Sequence, residues 1–155
     1  MPKAAIYGTA MAVLATVANL LHAVSHVGQH VLSLEAWQWV YVISVIFVAP
    51  IAAALVLRTR NRLAGAWLLL VSMAGSFVFD FAYHFLVPGP DNVFTLWPGV
   101  WLIPFWGSAV LLVVVSGIGT LVGGQVVVRM SRSRATTPPT VEPEHSRRTS
   151  RTEAR

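Results

Sequence analysis

The chain has 155 residues, 55% of them hydrophobic and only 11% charged, with no cysteine and a formal net charge of +5. So little charge is far from the roughly 25% of soluble domains, and the missing cysteine excludes disulfides, thiolate metal sites and iron–sulfur clusters. Seven of the eleven basic residues (Arg129, Arg132, Arg134, Arg147, Arg148, Arg151, Arg155) lie in positions 129–155 and the others are Lys3, Arg58, Arg60 and Arg62, so the charge belongs to a tail and a loop and no nucleic-acid surface is expected.

Residues 4–34 are almost continuously apolar, longer than the ~20 residues that cross a bilayer. A cleaved secretory signal competes for this stretch, with its charged start and small residues near Ala15 and Ala18, but the apolar run continues well past any cleavage point. A second span is expected over about 39–57, opened by Trp37, Trp39 and Tyr41 as interfacial anchors. Pro50 falls inside it, where a kink is expected rather than a stop. The basic loop Arg58-Thr59-Arg60-Asn61-Arg62 follows, then a third span over about 63–87 that ends at the turn-forming run Pro88-Gly89-Pro90-Asp91-Asn92. Residues 93–104, with Trp97, Pro98, Trp101 and Pro104, read as a segment along the interface before a fourth span over about 104–128. That span holds a GxxxG pattern at Gly119 and Gly123, expected to serve packing inside the bundle.

The expected fold is all-α: an integral membrane four-helix bundle over residues 1–130, followed by a disordered basic tail over 131–155. Lys3, the arginine loop and the arginine tail all fall on one side of a four-span chain, so the expectation is a multi-pass protein of the cell membrane with both termini cytoplasmic. The partners expected are membrane lipid, anionic lipid at the tail, and a homo-oligomeric or larger membrane assembly.

Two polar stripes interrupt the apolar runs. His22, His26 and His30 recur every fourth residue in the first span, as do Ser72, Ser76, Asp80 and His84 in the third. Each step of four advances about 6 Å along a helix and about 40° around it, so each set lies on one face. Counting from the outer span ends levels His30 with His84 and His26 with Asp80, with His22 one turn deeper. Ionisable groups inside a bilayer are costly and mark sites.

Histidines at i and i+4, completed by a carboxylate and a histidine from a second helix, form a metal-binding set. His22, His26, His30, Asp80 and His84 are the expected ligands. Nitrogen and oxygen donors without thiolate suit zinc, iron or manganese. Glu35 and Asp91 are further candidate ligands, and Asn19, Ser25, Gln29, Ser72 and Ser76 candidate supporting partners. The pattern fits an outward-opening metal site with oxidoreductase or hydrolase chemistry. Haem held by His84 and a first-span histidine, in an electron carrier, is the alternative. So is a non-catalytic accessory subunit whose stripes only fix helix packing. No diagnostic motif of the histidine-rich membrane hydroxylases or of the four-helix membrane cytochromes is present, and no family is assigned.

Overall fold

The computed structural model describes residues 3–135. Among them there is no strand, and four helices are long and apolar enough to cross a membrane. We number them α1 (Lys3–Gln29), α2 (Ala36–Val56), α3 (Arg62–Leu86) and α4 (Leu102–Ala135). The expected tail boundary is corrected: α4 runs on to Ala135, so residues 131–135 are helical, while the rest of the expected disordered tail lies outside the described residues.

α1 also ends earlier than its apolar run suggests. The Val31 amide donates to the His26 carbonyl and the His30 amide to that of Val27, both at 3.2 Å. His30 has φ 59°. This is a Schellman stop with a histidine in the left-handed position that glycine usually fills. Residues 31–35 are non-helical, and α2 starts where the Glu35 amide donates to Gln38 Oε1 at 2.7 Å.

α2 passes Pro50 without breaking. Val42–Val48 widens into a π-helical stretch, and the Ala49 amide donates to Ser44, five residues back. The wider turns accommodate a residue that has no amide hydrogen to give. A second π turn, Ala82–Leu86, closes α3 and carries His84.

The helices run up and down in ring order, α1 against α2 and α4, and α3 against α2 and α4. α1 and α3, the two spans that carry the polar stripes, are in contact across the diagonal of the bundle and meet mainly through side chains. At the end holding the arginine loop, the core is built from Ala5, Ala12, Leu57, Ala66, Leu69, Met73 and Val126. Gly119 packs on Met73 and Gly123 on the Leu70 backbone, so the GxxxG pattern holds α4 against α3. At the other end, Val93 and Ala109 pack with the fully buried Phe105 beneath the loop that joins α3 to α4.

Candidate metal centre

Three histidines converge on the diagonal at the Phe105 end. One ligand atom from each of His22, His26 and His84 lies within 4.8 Å of the others. The ring centroids of His22 stand 4.5 Å from His26 and 4.6 Å from His84. Phe105 covers one side, 4.8 Å from the His26 ring and 5.0 Å from the His22 ring.

Each Nδ1 is held from outside the cluster. His84 Nδ1–H donates to the Asp91 carbonyl at 3.0 Å, and His26 Nδ1–H to the Val31 carbonyl at 3.1 Å. Carbonyls only accept, so in the neutral rings the proton sits on Nδ1 and the Nε2 lone pair is free. His22 Nε2 lies 3.0 Å from His84 Nε2 and therefore carries the proton between them. His22 Nδ1 then accepts from the Ser108 hydroxyl at 2.8 Å. Ser108 Oγ is also 3.0 Å from the Phe105 carbonyl and 3.0 Å from Ser25 Oγ. Its hydroxyl can turn to Phe105 and receive a proton from His22 Nδ1 instead, so Ser108 serves either tautomer of His22.

The loop after α3 locks His84 in place. While the His84 ring donates to the Asp91 carbonyl, the Val93 amide donates to the His84 carbonyl at 3.0 Å. The Asn92 side chain ties the loop to itself, accepting from the Phe94 amide and donating to the Val87 carbonyl. Gln29 donates across to the Trp97 carbonyl at 2.8 Å, and Trp101 covers Gly28, where a Cβ would meet its ring at 2.1 Å. The loop is therefore a fitted cover.

A cavity of about 100 Å³ opens on the α2 side of the cluster. His22, His26, His84, Asp80, Asp91 and Asn19 line it on one side, and Leu32, Leu34, Trp39, Val42, Ile46, Phe47 and Phe79 on the other. Asp80 is 3% exposed, and its Oδ2 has no hydrogen-bond partner. Asp91 Oδ1 is likewise unpartnered, 3.7 Å from His26 Nδ1, and burial pushes this loop carboxyl up to about 6.

Against the residues expected from the sequence, His22, His26 and His84 are brought together and Asp80 shares their cavity without joining the group. His30 is exposed at the helix stop, outside the cluster. The expected levels shift by about one turn, because α1 ends at Gln29 and not near Leu34. His22, expected to be the peripheral member, is the central one. Of the two further candidates, Asp91 reaches the cavity and Glu35 stays exposed at the start of α2. Ser25 does support the cluster, whereas Ser72 donates to its own helix at Leu69 and Ser76 Oγ has no partner. Ser108 was not expected. Extending the Ser116–Thr120 spacing backwards by eight residues reaches it, and that is the signal that points to it.

Fold and cluster together define a class: an all-helical bundle of four span-length apolar helices with a histidine group able to hold a metal ion. No protein-family model matches the chain, and neither a curated protein nor a solved structure is significantly similar to it.

Proposed function

We propose that this is a metal-binding integral membrane protein in which His22, His26 and His84 bind one divalent transition-metal ion through Nε2. The observation that carries this reading is the pairing of each Nδ1 with an outer partner: two backbone carbonyls and the Ser108 hydroxyl. Metal-ligating histidines are held in this way, because the outer hydrogen bond sets ring orientation and tautomer. For His22 to ligate, its proton moves from Nε2 to Nδ1 and stays there, with Nδ1–H donating to the Ser108 oxygen while the Ser108 hydroxyl turns to donate to the Phe105 carbonyl.

The donor set is three imidazoles, which suits zinc, copper(II) or iron better than manganese, whose preference is for oxygen. A three-histidine zinc keeps a fourth position for water or substrate, which is the arrangement hydrolytic chemistry uses. The cavity lies where that position would open. Two neutralising charges are available at the same cavity, the carboxyl groups of Asp80 and Asp91, and a dication buried in a low dielectric needs such partners. On the topology read from the arginines, the site lies in the outer half of a cell-membrane protein whose termini are cytoplasmic, with anionic lipid around its arginine end.

A haem held between His22 and His84 finds no support, since their Nε2 atoms touch at 3.0 Å and a macrocycle would have to part the helices. A purely structural polar network is favoured by one observation, the hydrogen bond made by every ring. It leaves two things without a purpose: His26 Nε2, which takes no hydrogen bond among the described residues, and the unpartnered Asp80.

Metal analysis of the purified protein, with its absorption spectrum, decides among the three. The expected result is close to one equivalent of metal and no Soret band. Replacing His22, His26 or His84 singly by alanine should remove most of that metal, and His30→Ala should not. Unchanged metal content in all three cluster variants would overturn the proposal.

A further inference from the structure

The two sides of the α1–α3 diagonal are filled differently. On the α4 side the fully buried Phe105 lies against the rings and Ser108 bonds to His22. On the α2 side there is the cavity. Its far wall is aliphatic and aromatic, with Val42, Ile46 and Phe47 on the π-helical stretch of α2. Its near wall is three imidazoles, two carboxyl groups and the Asn19 amide. α2 is the least buried of the four helices, with 17% of its most apolar stretch buried against 39–44% for the others. Leu32 and Trp39, on the rim, are half exposed.

We infer that the cavity takes a membrane-soluble amphiphile, a straight aliphatic chain ending in one oxygen donor, with the oxygen at the histidine cluster and the chain leaving between α1 and α2. The inference rests on the metal-site reading for what the oxygen meets, and on the cavity alone for where the chain runs.

The size of the cavity argues for the end of a chain. Pockets that enclose a drug-sized ligand measure roughly 300–1,000 Å³, and this one measures about 100 Å³. Only a terminus fits, and the remainder has to leave through the wall. The chemistry of the lining argues for a single polar end. One side of the cavity is all carbon apart from the Trp39 ring nitrogen, so a second polar group on the chain would be desolvated without a partner. Asp80 provides the other half of the recognition. A carboxyl 3% exposed, with an oxygen free of hydrogen bonds and lining this cavity, is a ready partner for a hydroxyl or carbonyl end. Entry from the side agrees with the cover formed by the α3–α4 loop, which closes the end of the bundle through the Gln29–Trp97 bond and the Trp101–Gly28 contact.

The test uses the full chain in lipid nanodiscs with two probes. First, the protein is loaded with cobalt(II), whose visible bands report its ligands, and titrated with ethanol and octan-1-ol. The longer chain should bind at least about tenfold more tightly, because it adds buried methylenes. Ile46→Phe and Val42→Phe fill the cavity and should erase that gain; each is scored only if it takes up cobalt as the natural protein does. Second, without metal, a long-chain alcohol carrying a diazirine should label residues 39–47 and Ala23 upon illumination, and excess dodecanol should compete. Cobalt uptake with no chain-length gain, or a gain that survives both variants, overturns the inference and leaves the metal site standing. Competed labelling without cobalt uptake supports the cavity assignment and overturns the metal reading. Failure of both probes overturns both.

Discussion

The two ends of the bundle solve the same packing problem with different materials. At the arginine end, helices approach through alanine and glycine. A Cβ on Gly65 would stand 2.7 Å from the Leu57 backbone nitrogen, and one on Gly123 would stand 2.9 Å from Leu70 Cα. The buried cluster there is alanine, leucine, methionine and valine, with Thr9 buried beside it and the Arg62 Nε atom enclosed. At the histidine end, the diagonal is bridged by imidazoles and Phe105, and a cavity remains. In a lipid-like medium helices gain nothing from hydrophobic burial against one another, so close backbone approach and interhelical hydrogen bonds are the available attractions. One end uses the first and the other end uses the second. Close packing leaves no room for a ligand, whereas polar side chains that reach across a diagonal do. The site therefore sits where the small residues stop.

The largest effect expected is at the close-packed end. Gly65→Val places a side chain against backbone that cannot yield, and should lower unfolding stability by about 3 kcal/mol. Denaturation in mixed micelles checks this, and Gly124→Ala, where nothing lies within 4 Å, should leave stability nearly unchanged. Gly65→Val protein that is still folded should bind metal normally, because the fault lies at the other end. A melt as stable as the natural protein's would break the comparison.

Next in size is the removal of a ring from the cluster. His84→Ala deletes the hydrogen bonds to Asp91 and His22 as well as a ligand. It should abolish stoichiometric metal binding and cost about 1–3 kcal/mol through partners left unpaired. Hydrogen exchange should rise in residues 89–97, since the cover loop is anchored on that ring. Protection unchanged in the loop would show that the cover stands by itself.

Ser108→Ala keeps every ligand and removes only the group that holds His22 Nδ1. Metal affinity should fall about 10–100-fold, the usual loss for an outer hydrogen-bond partner, with a stability change of about 1 kcal/mol or less. Competition with a chelator of known affinity measures it. A merely structural serine would leave the affinity alone.

The smallest effect belongs to His30. Its φ of 59° is a conformation that glycine adopts without strain. His30→Gly should stabilise the protein by about 0.5–1 kcal/mol and leave metal content unchanged. A loss of metal would return His30 to the ligand set.

These residues also mark how far the sequence is readable. The existence and approximate limits of four helices follow from four apolar runs, because a backbone out of water must satisfy its own hydrogen bonds, and a helix does so locally. Both polar stripes are visible in four-residue spacing, and the five residues they offered, His22, His26, His30, Asp80 and His84, include the three that converge. The end of α1 was not legible, because its stop uses a histidine where a glycine would have announced it. That one boundary moved the register by about a turn, making His22 central and leaving His30 outside.

Tertiary structure alone decided the rest. Facing across the diagonal, with α2 and α4 on either side, is a relation among helices far apart in the chain, and no local spacing encodes it. It assigns Phe105 and Ser108 to one side of the cluster and an unfilled cavity to the other. Composition and periodicity determined which elements form and which faces are polar, because hydrogen bonding and side-chain direction within a helix are local. Which polar groups meet depends on helix ends and on packing between distant segments, and those are set only when the whole bundle closes.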